Sequence, residues 1–235
     1  MISILIVNWN TKDLVLNCIQ SIYDTCNDVK YEIIIVDNAS SDGSADAIAI
    51  KYPNIVLIRS EKNLGFAGGN NRGIPYINGD FVFLLNPDTI MQKDTLRELR
   101  KYLIEHNEVG IIGPQLIGLN GERQISSFGL YPSAKEAFLH AIRIWKIAPE
   151  SRLAKSFLLY PDKNESWIYS AHLLGAALMM KSELLREING FDENFFLFLE
   201  ETDLCYRVAN KGKKLVFFRD VFIIHLGEQS MQNIL

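Results

Sequence analysis

Cysteine is scarce in this chain of 235 residues: Cys18, Cys26 and Cys205 are the only three, and no C-x-x-C spacing occurs. So low and odd a count excludes a disulfide framework and speaks against a structural zinc site, which fits a reducing compartment. Basic charge is short as well. Lys and Arg number 24 against 28 Asp and Glu, a net charge of −4. Nucleic-acid binding needs a basic footprint, so none is expected. No apolar run approaches the ~20 residues needed to span a bilayer. Met1 leads straight into Ile2-Ser3-Ile4-Leu5-Ile6-Val7 without a basic leader or small-residue cleavage site, so the start reads as a strand. A soluble, cytoplasmic protein is the expectation. Two phosphate loops are missing too. G-x-x-x-x-G-K-[ST] does not occur, and the place after the first strand, where a dinucleotide fingerprint would stand, holds Asn8-Trp9-Asn10.

What is present can build a sizeable core. Apolar residues make up 48% of the chain and charged ones 22%, which excludes disorder. The first half alternates short apolar runs with amphipathic stretches. Strands are expected over 2–7, 31–36, 55–58, 81–85 and 109–112. Helices are expected over 13–23, 44–52 and 69–76, with a further one capped by Asp94 and carrying Leu96, Leu99, Tyr102 and Leu103. Near-continuous apolar strands between helices predict a mostly parallel, Rossmann-like sheet covered on both faces. The second half breaks the rhythm. Asn120-Gly121 reads as a hairpin turn, 173–180 as a strand, and Ser182 as the N-cap of a short helix ending at Gly190. A helix over 201–211 stops at Gly212, and strands follow over 215–218 and 222–225. The expectation is a single α/β domain over residues 1–235, its mixed C-terminal half continuing the same sheet.

In an open parallel sheet, ligands bind beyond the carboxyl ends of the strands. Asn8-Trp9-Asn10, Asp37-Asn38-Ala39-Ser40 and Asn86-Pro87-Asp88 collect there. Any one of these could merely start a turn; three on one edge point to a shared site. The stretch Gly65-Phe66-Ala67-Gly68-Gly69-Asn70-Asn71 indicates a backbone that turns tightly, or approaches something closely, on entering a helix.

The ordered set of Ile4–Asn10, Val36–Gly43, Asn63–Asn71, Leu85–Asp88, Gly190-Phe191-Asp192-Glu193 and Glu200–Cys205 resembles the inverting nucleotide-sugar glycosyltransferases of family two, with the GT-A fold. The similar branch is the rhamnosyltransferase-like enzymes of bacterial surface polysaccharide synthesis. The resemblance runs from Ile2 to about His225. It implies that residues 1–114 bind a nucleotide-diphosphate sugar and that 115–235 hold the acceptor and the catalytic base. The donor would be a UDP- or dTDP-sugar, rhamnose or similar. The acceptor would be a hydroxyl of a glycan or a lipid-linked saccharide, glycosylated once, since the Gln-x-x-Arg-Trp signature of processive members is absent.

The resemblance assigns nucleotide binding to Val7, Trp9, Asp37, Asn38, Gly68, Asn71 and Asn86. Asp37, acceptor-only when ionised, would take the imide N–H of a uracil or thymine. Trp9 would stack on the base or serve as a core aromatic. Asp88 would hold a divalent cation, Mn²⁺ or Mg²⁺, against the leaving diphosphate. Asn86 stands where the general D-x-D motif has its first acid. His225 would reach the same metal or be structural. Glu201 would be the general base and Glu200 its support; the plain alternative is that acids in a first helical turn complement the helix dipole. The basic amphipathic stretch 134–157 packs over the acceptor cleft or makes peripheral contact with an anionic membrane. The rival to an enzyme is a non-catalytic nucleotide-sugar binding module.

Overall fold

The computed structural model describes residues 1–124, 128–129, 167–170 and 172–227. The stretch 134–157 lies outside the described residues. Strands β1 (Ile2–Asn8), β2 (Tyr31–Asp37), β3 (Val56–Arg59) and β4 (Phe81–Leu85) are followed by β5 (Thr89–Ile90), β6 (Val109–Ile117), β7 (Phe128–Gly129), β8 (Trp167–Ser170), β9 (His172–Leu173), β10 (Ala177–Lys181) and β11 (Lys214–His225). Helices α1 (Lys12–Thr25), α2 (Ser44–Lys51), α3 (Gly65–Gly73), α4 (Thr95–Glu105), α5 (Ser182–Glu187) and α6 (Glu200–Asn210) pack around them.

The large sheet runs in the order β3-β2-β1-β4-β10-β6-β11-β5, with β8 beside β11, and β7 pairs with β9 apart from it. The first four strands pair in parallel. Strand β10 enters antiparallel between β4 and β6, so β6 and β11 keep the direction of the first four. Only β10, β5 and β8 of this sheet oppose it. This is a Rossmann-like half continued by a mixed half, as the sequence predicts.

Both faces are covered. Ile2, Ile4 and Ile6 of β1 join Cys18, Ile19 and Ile22 of α1, Ile48 of α2 and Leu99 and Leu103 of α4 in one buried cluster. Leu5 and Val7 point the other way and meet Ala67 of α3, Leu184 and Leu185 of α5, and Leu204 and Val208 of α6. Two buried faces leave every residue of β1 buried, which is why the strand is apolar except at Ser3 and Asn8 and shows no alternation.

Several elements differ from the expected ones. Helix α3 begins at Gly65, and a 3₁₀ turn, Ile74–Tyr76, follows it where Pro75 removes a backbone donor. Asp94 stands at φ +66° before α4 without capping it; its carboxylate meets Arg97 at 2.7 Å. The expected strand over 173–180 is cut by a turn at Leu174-Gly175-Ala176 into β9 and β10. The two expected strands at the C-terminus are one, β11, with a register shift between Phe218 and Phe222. The Asn120-Gly121 turn is present: the Gly121 N–H donates to the Gly118 carbonyl, and Ile117 bridges Arg123. Helix α5 starts at Ser182 and ends at Glu187; the Gly190 N–H then donates to the Leu185 carbonyl at φ +66°. No helix among the described residues is long and apolar enough to cross a membrane.

Candidate active site

The carboxyl ends of β1, β2 and β4 open on one side of the sheet, and the antiparallel β10 brings its amino end to the same edge. There the Asn86 N–H donates to the Ala176 carbonyl at 2.9 Å. The N-terminus of α6 and the end of β11 add Glu200, Glu201 and His225 to the same opening. The result is a cleft of about 570 Å³.

Much of the polar sequence at the strand ends is used by the chain itself. The Asn8 amide donates to Asp37 Oδ1 at 3.0 Å, and the Ser40 N–H donates to Asp37 Oδ2 at 3.0 Å. Asn10, at φ +51°, accepts the Ser41 N–H at 2.7 Å. These bonds lace the β1–α1 loop to the β2–α2 loop. Asn38 does the same for the next loop. Its amide donates to Asn63 Oδ1 and to the Gly65 carbonyl, and its Oδ1 accepts the Leu64 N–H. The close approach expected of the glycine stretch is to the protein's own backbone: a Cβ at Gly65 would collide with the Phe196 carbonyl, and Phe66 N–H donates to that same oxygen at 2.9 Å. Asn71 holds the other end, donating to the Phe191 carbonyl and to Glu193 and accepting the Phe191 N–H.

The expected residues therefore fall into two sets. Val7, Trp9, Asn38, Asn86, Asp88, Glu200, Glu201 and His225 line the cleft. Asp37, only 3% exposed, together with Gly68 and Asn71, lies behind it and outside its lining. Gly68 sits against Leu64, where a Cβ would come within 2.9 Å of the Leu64 Cβ.

Three acceptor atoms in the cleft are buried without a hydrogen-bond partner: Asn86 Oδ1, Asp88 Oδ1 and Glu200 Oε2. Leaving such atoms unpaired costs roughly 1–3 kcal/mol each, so three of them lining one cleft mark it as a place for cations or hydrogen-bond donors. The Asn86-Pro87-Asp88 turn that presents two of them is tied down by the Thr89 hydroxyl, which donates to the Asn86 carbonyl at 2.7 Å. Register pairing of His225 with Thr89 then brings the imidazole Nε2 to 3.5 Å from Asp88 Oδ1. Among the described residues no three His, Cys, Asp or Glu side chains form a metal cage. Asp88 and His225 nonetheless fit an Mg²⁺- or Mn²⁺-type ion, which takes one or two protein ligands and completes its shell with phosphate and water oxygens.

Helix α6 presents Glu200 and Glu201 to the same cleft. Burial pushes the Glu200 carboxyl up to about 7, and the charge of Glu201 adds to that rise. Burial also raises Glu201, with His172 pulling it back. Gly175 makes room for this side chain: a Cβ there would stand 3.2 Å from the Glu201 Cβ. The rim is apolar. Phe196, Leu197, Phe198 and Leu199 are exposed beside the cleft, and Phe198 and Leu199 hold φ near +70°. Burial lifts Cys18 and Cys205 to about 12, which removes both as nucleophiles.

The sequence offers no supporting context for a role of His172, and it does not single out Gly175, Thr11 or Gln124. His172 and Gly175 are placed by a turn that interrupts an apolar run, and nothing in the residues signals it. Thr11 lines the cleft while its hydroxyl donates to Asn8 Oδ1 at 2.7 Å, a bond legible only as ordinary turn chemistry.

A family model, glycosyl transferase family 2, matches residues 3–151. The chain belongs to glycosyl transferase family 2. It is 25% identical over 214 residues to the N-acetylglucosaminyl-diphospho-decaprenol L-rhamnosyltransferase of Mycobacterium tuberculosis, a match covering 82% of this chain and 66% of that one. It is also 25% identical over 244 residues to rhamnosyltransferase WbbL of Escherichia coli, covering 99% of this chain and 86% of that one. These relatives place it in the rhamnosyltransferase-like branch of the family. The mannosyltransferase PcManGT of Pyrobaculum calidifontis, solved with GDP-Man and Mn²⁺, matches with a TM-score of 0.68 at 18% identity, over 96% of this chain and 56% of that one. Staphylococcus aureus TarS with UDP gives a TM-score of 0.67 at 18% identity, over 95% of this chain and 59% of that one. The shared fold is GT-A. This family 2 chain thus spans just under two thirds of the mycobacterial relative and little more than half of each solved neighbour.

Proposed function

We propose that this family 2 chain transfers a single sugar, rhamnose or similar, from a UDP- or dTDP-sugar to a hydroxyl of a glycan or lipid-linked saccharide, with inversion. The observation that carries this reading is the convergence of the unpaired Asn86, Asp88 and Glu200 oxygens on one cleft. A rhamnosyltransferase relative and a neighbour solved with UDP support the choice of chemistry. A divalent cation held by Asp88 and His225, as Mn²⁺ accompanies GDP-Man in the mannosyltransferase, would supply positive charge to the departing diphosphate.

The chain's own residues do the rest. Trp9 and Val7 hold the base at the end of β1, and Asp37, buried behind the cleft lining, keeps acceptor capacity beyond its bonds to Asn8 and Ser40 for an imide N–H that reaches past that lining. Asn38, Gly68 and Asn71 shape the loop on which the nucleotide rests. Glu201 takes the proton from the acceptor hydroxyl as its oxygen bonds to the anomeric carbon and the diphosphate leaves from the opposite face. One in-line displacement of this kind needs no covalent intermediate. A burial-raised carboxyl is a stronger base than a free one, which suits Glu201 to that proton transfer. Glu200 supports it from the neighbouring position.

The test is a pair of variants assayed with donor and acceptor. Glu201→Gln keeps the side-chain shape and removes its basicity, so kcat should fall by about 10²–10⁴-fold while donor affinity stays within a few-fold. Normal turnover by Glu201→Gln would overturn the assignment of the base. A wild-type chain that binds UDP or dTDP but hydrolyses and transfers nothing would instead be a binding module.

A further inference from the structure

Gln124 stands on the returning arm of the Asn120-Gly121 turn, where its backbone N–H donates to the Leu116 carbonyl at 2.9 Å. Its side chain crosses to His225 and makes two bonds to that one residue. Gln124 Nε2 donates to the His225 carbonyl at 2.8 Å, and His225 Nδ1 lies 2.7 Å from Gln124 Oε1. The first bond decides the second. A carbonyl accepts only, so the amide nitrogen must face it and the amide oxygen must face the ring. An amide oxygen also accepts only, so Nδ1 is the ring nitrogen that carries the proton. In the neutral imidazole, Nε2 is then left with its lone pair toward Asp88 Oδ1, 3.5 Å away and itself without a hydrogen-bond donor. Two electron pairs facing each other in a buried cleft call for positive charge between them, a proton or a metal cation.

We propose that Gln124 is a positioning residue that fixes the tautomer and orientation of His225, so that Nε2 is presented as a metal ligand beside Asp88. This rests on the reading of Asp88 and His225 as the cation site. The arrangement has the form in which a ligating histidine donates its other N–H to an oxygen acceptor, and loss of such a partner typically costs 10–100-fold in metal affinity. The bond from the Gln124 side-chain amide to the His225 carbonyl adds a second constraint, because it fixes the end of β11 at the place where Leu226 N–H also donates to the Asp88 carbonyl at 2.9 Å.

The experiment uses the full chain and has two readouts. Nitrogen-15 NMR of the imidazole in metal-free wild type should show a protonated Nδ1 and an unprotonated Nε2; the opposite tautomer would overturn the proposal without any variant being made. Mn²⁺ titration, alone and with UDP, followed by electron paramagnetic resonance, supplies the second. Gln124→Met removes the acceptor and should weaken Mn²⁺ binding by about 10–100-fold. Gln124→Glu keeps an acceptor for Nδ1–H and should stay within a few-fold of wild type. Equal Mn²⁺ affinity in wild type and Gln124→Met would overturn the role of Gln124 alone. A wild type that takes up no Mn²⁺ with UDP, or one whose Mn²⁺ affinity is unchanged in Asp88→Ala and His225→Ala, would overturn the cation site and this role with it.

Discussion

Asparagine does two different jobs at the open edge of this sheet, and neighbouring atoms decide which. The Asn38 amide and carbonyl are both committed to the Asn63–Gly65 loop, whereas Asn86 Oδ1 has no partner. Asn38→Ala would strip partners from the Leu64 N–H and the Gly65 carbonyl, so we expect a loss of about 1–3 kcal/mol in denaturant unfolding, even without ligand. Glu200 gives a prediction in pH. Its carboxyl is raised from 4.5 to about 7 by burial, then by Glu201. A group whose folded pKa lies above its unfolded one binds protons more tightly when folded, so its contribution to stability is fully present below about 4.5 and is lost as pH rises to about 7. Stability of the metal-free protein should therefore decline across that window, and Glu200→Gln should flatten the decline. An identical pH dependence of Tm in the two proteins would show that Glu200 titrates normally.

Helix α3 shows how glycine acts at the scale of an element. Gly65, Gly69 and Gly73 recur every four residues and face what the helix packs on: the Phe196 carbonyl, Val7 and Leu5 in turn. Glycine costs about 1 kcal/mol in a helix relative to alanine, yet here a side chain would not fit. A Cβ at Gly69 would lie 2.6 Å from Val7 Cγ1, on a β-branched residue that cannot turn away easily. Gly69→Ala should destabilise the fold by about 1–3 kcal/mol of overpacking, less the propensity it gains. Gly65→Ala should cost more. Its φ of +72° strains any other residue, and its obstacle is backbone. Thermal unfolding of both variants checks the order, and a Gly65→Ala protein as stable as wild type would mean the Phe196 segment can move aside.

For the whole molecule, the expected behaviour is that of a cleft completed by its ligands. UDP with Mn²⁺ should raise Tm more than UDP alone, since a ligand at 100 times its Kd adds about 2.7 kcal/mol to the folded state. Asp88→Ala should erase the increment due to Mn²⁺ and keep that due to UDP. An equal gain in chelator would mean a metal-independent site. The helices, most of the strands and the motifs of the open edge were legible in the sequence because they are local: strand and helix periodicity, turn residues and motif order all lie within a few positions; the short strands β5, β7 and β8 were not. Asn8, Asp37 and Asn86 could be picked out on that basis, whereas Glu200 and Glu201 stood out only through the family resemblance. Where β10 inserts, how β11 carries His225 to Asp88, and why Gly65 must be glycine are pairings between residues far apart in the chain. The distance from Gln124 to His225 is 2.7 Å in space and about a hundred positions in sequence. Composition and spacing carry no trace of such a contact, because strand order and register, fixed by burial of both sheet faces together, create it only in the folded protein.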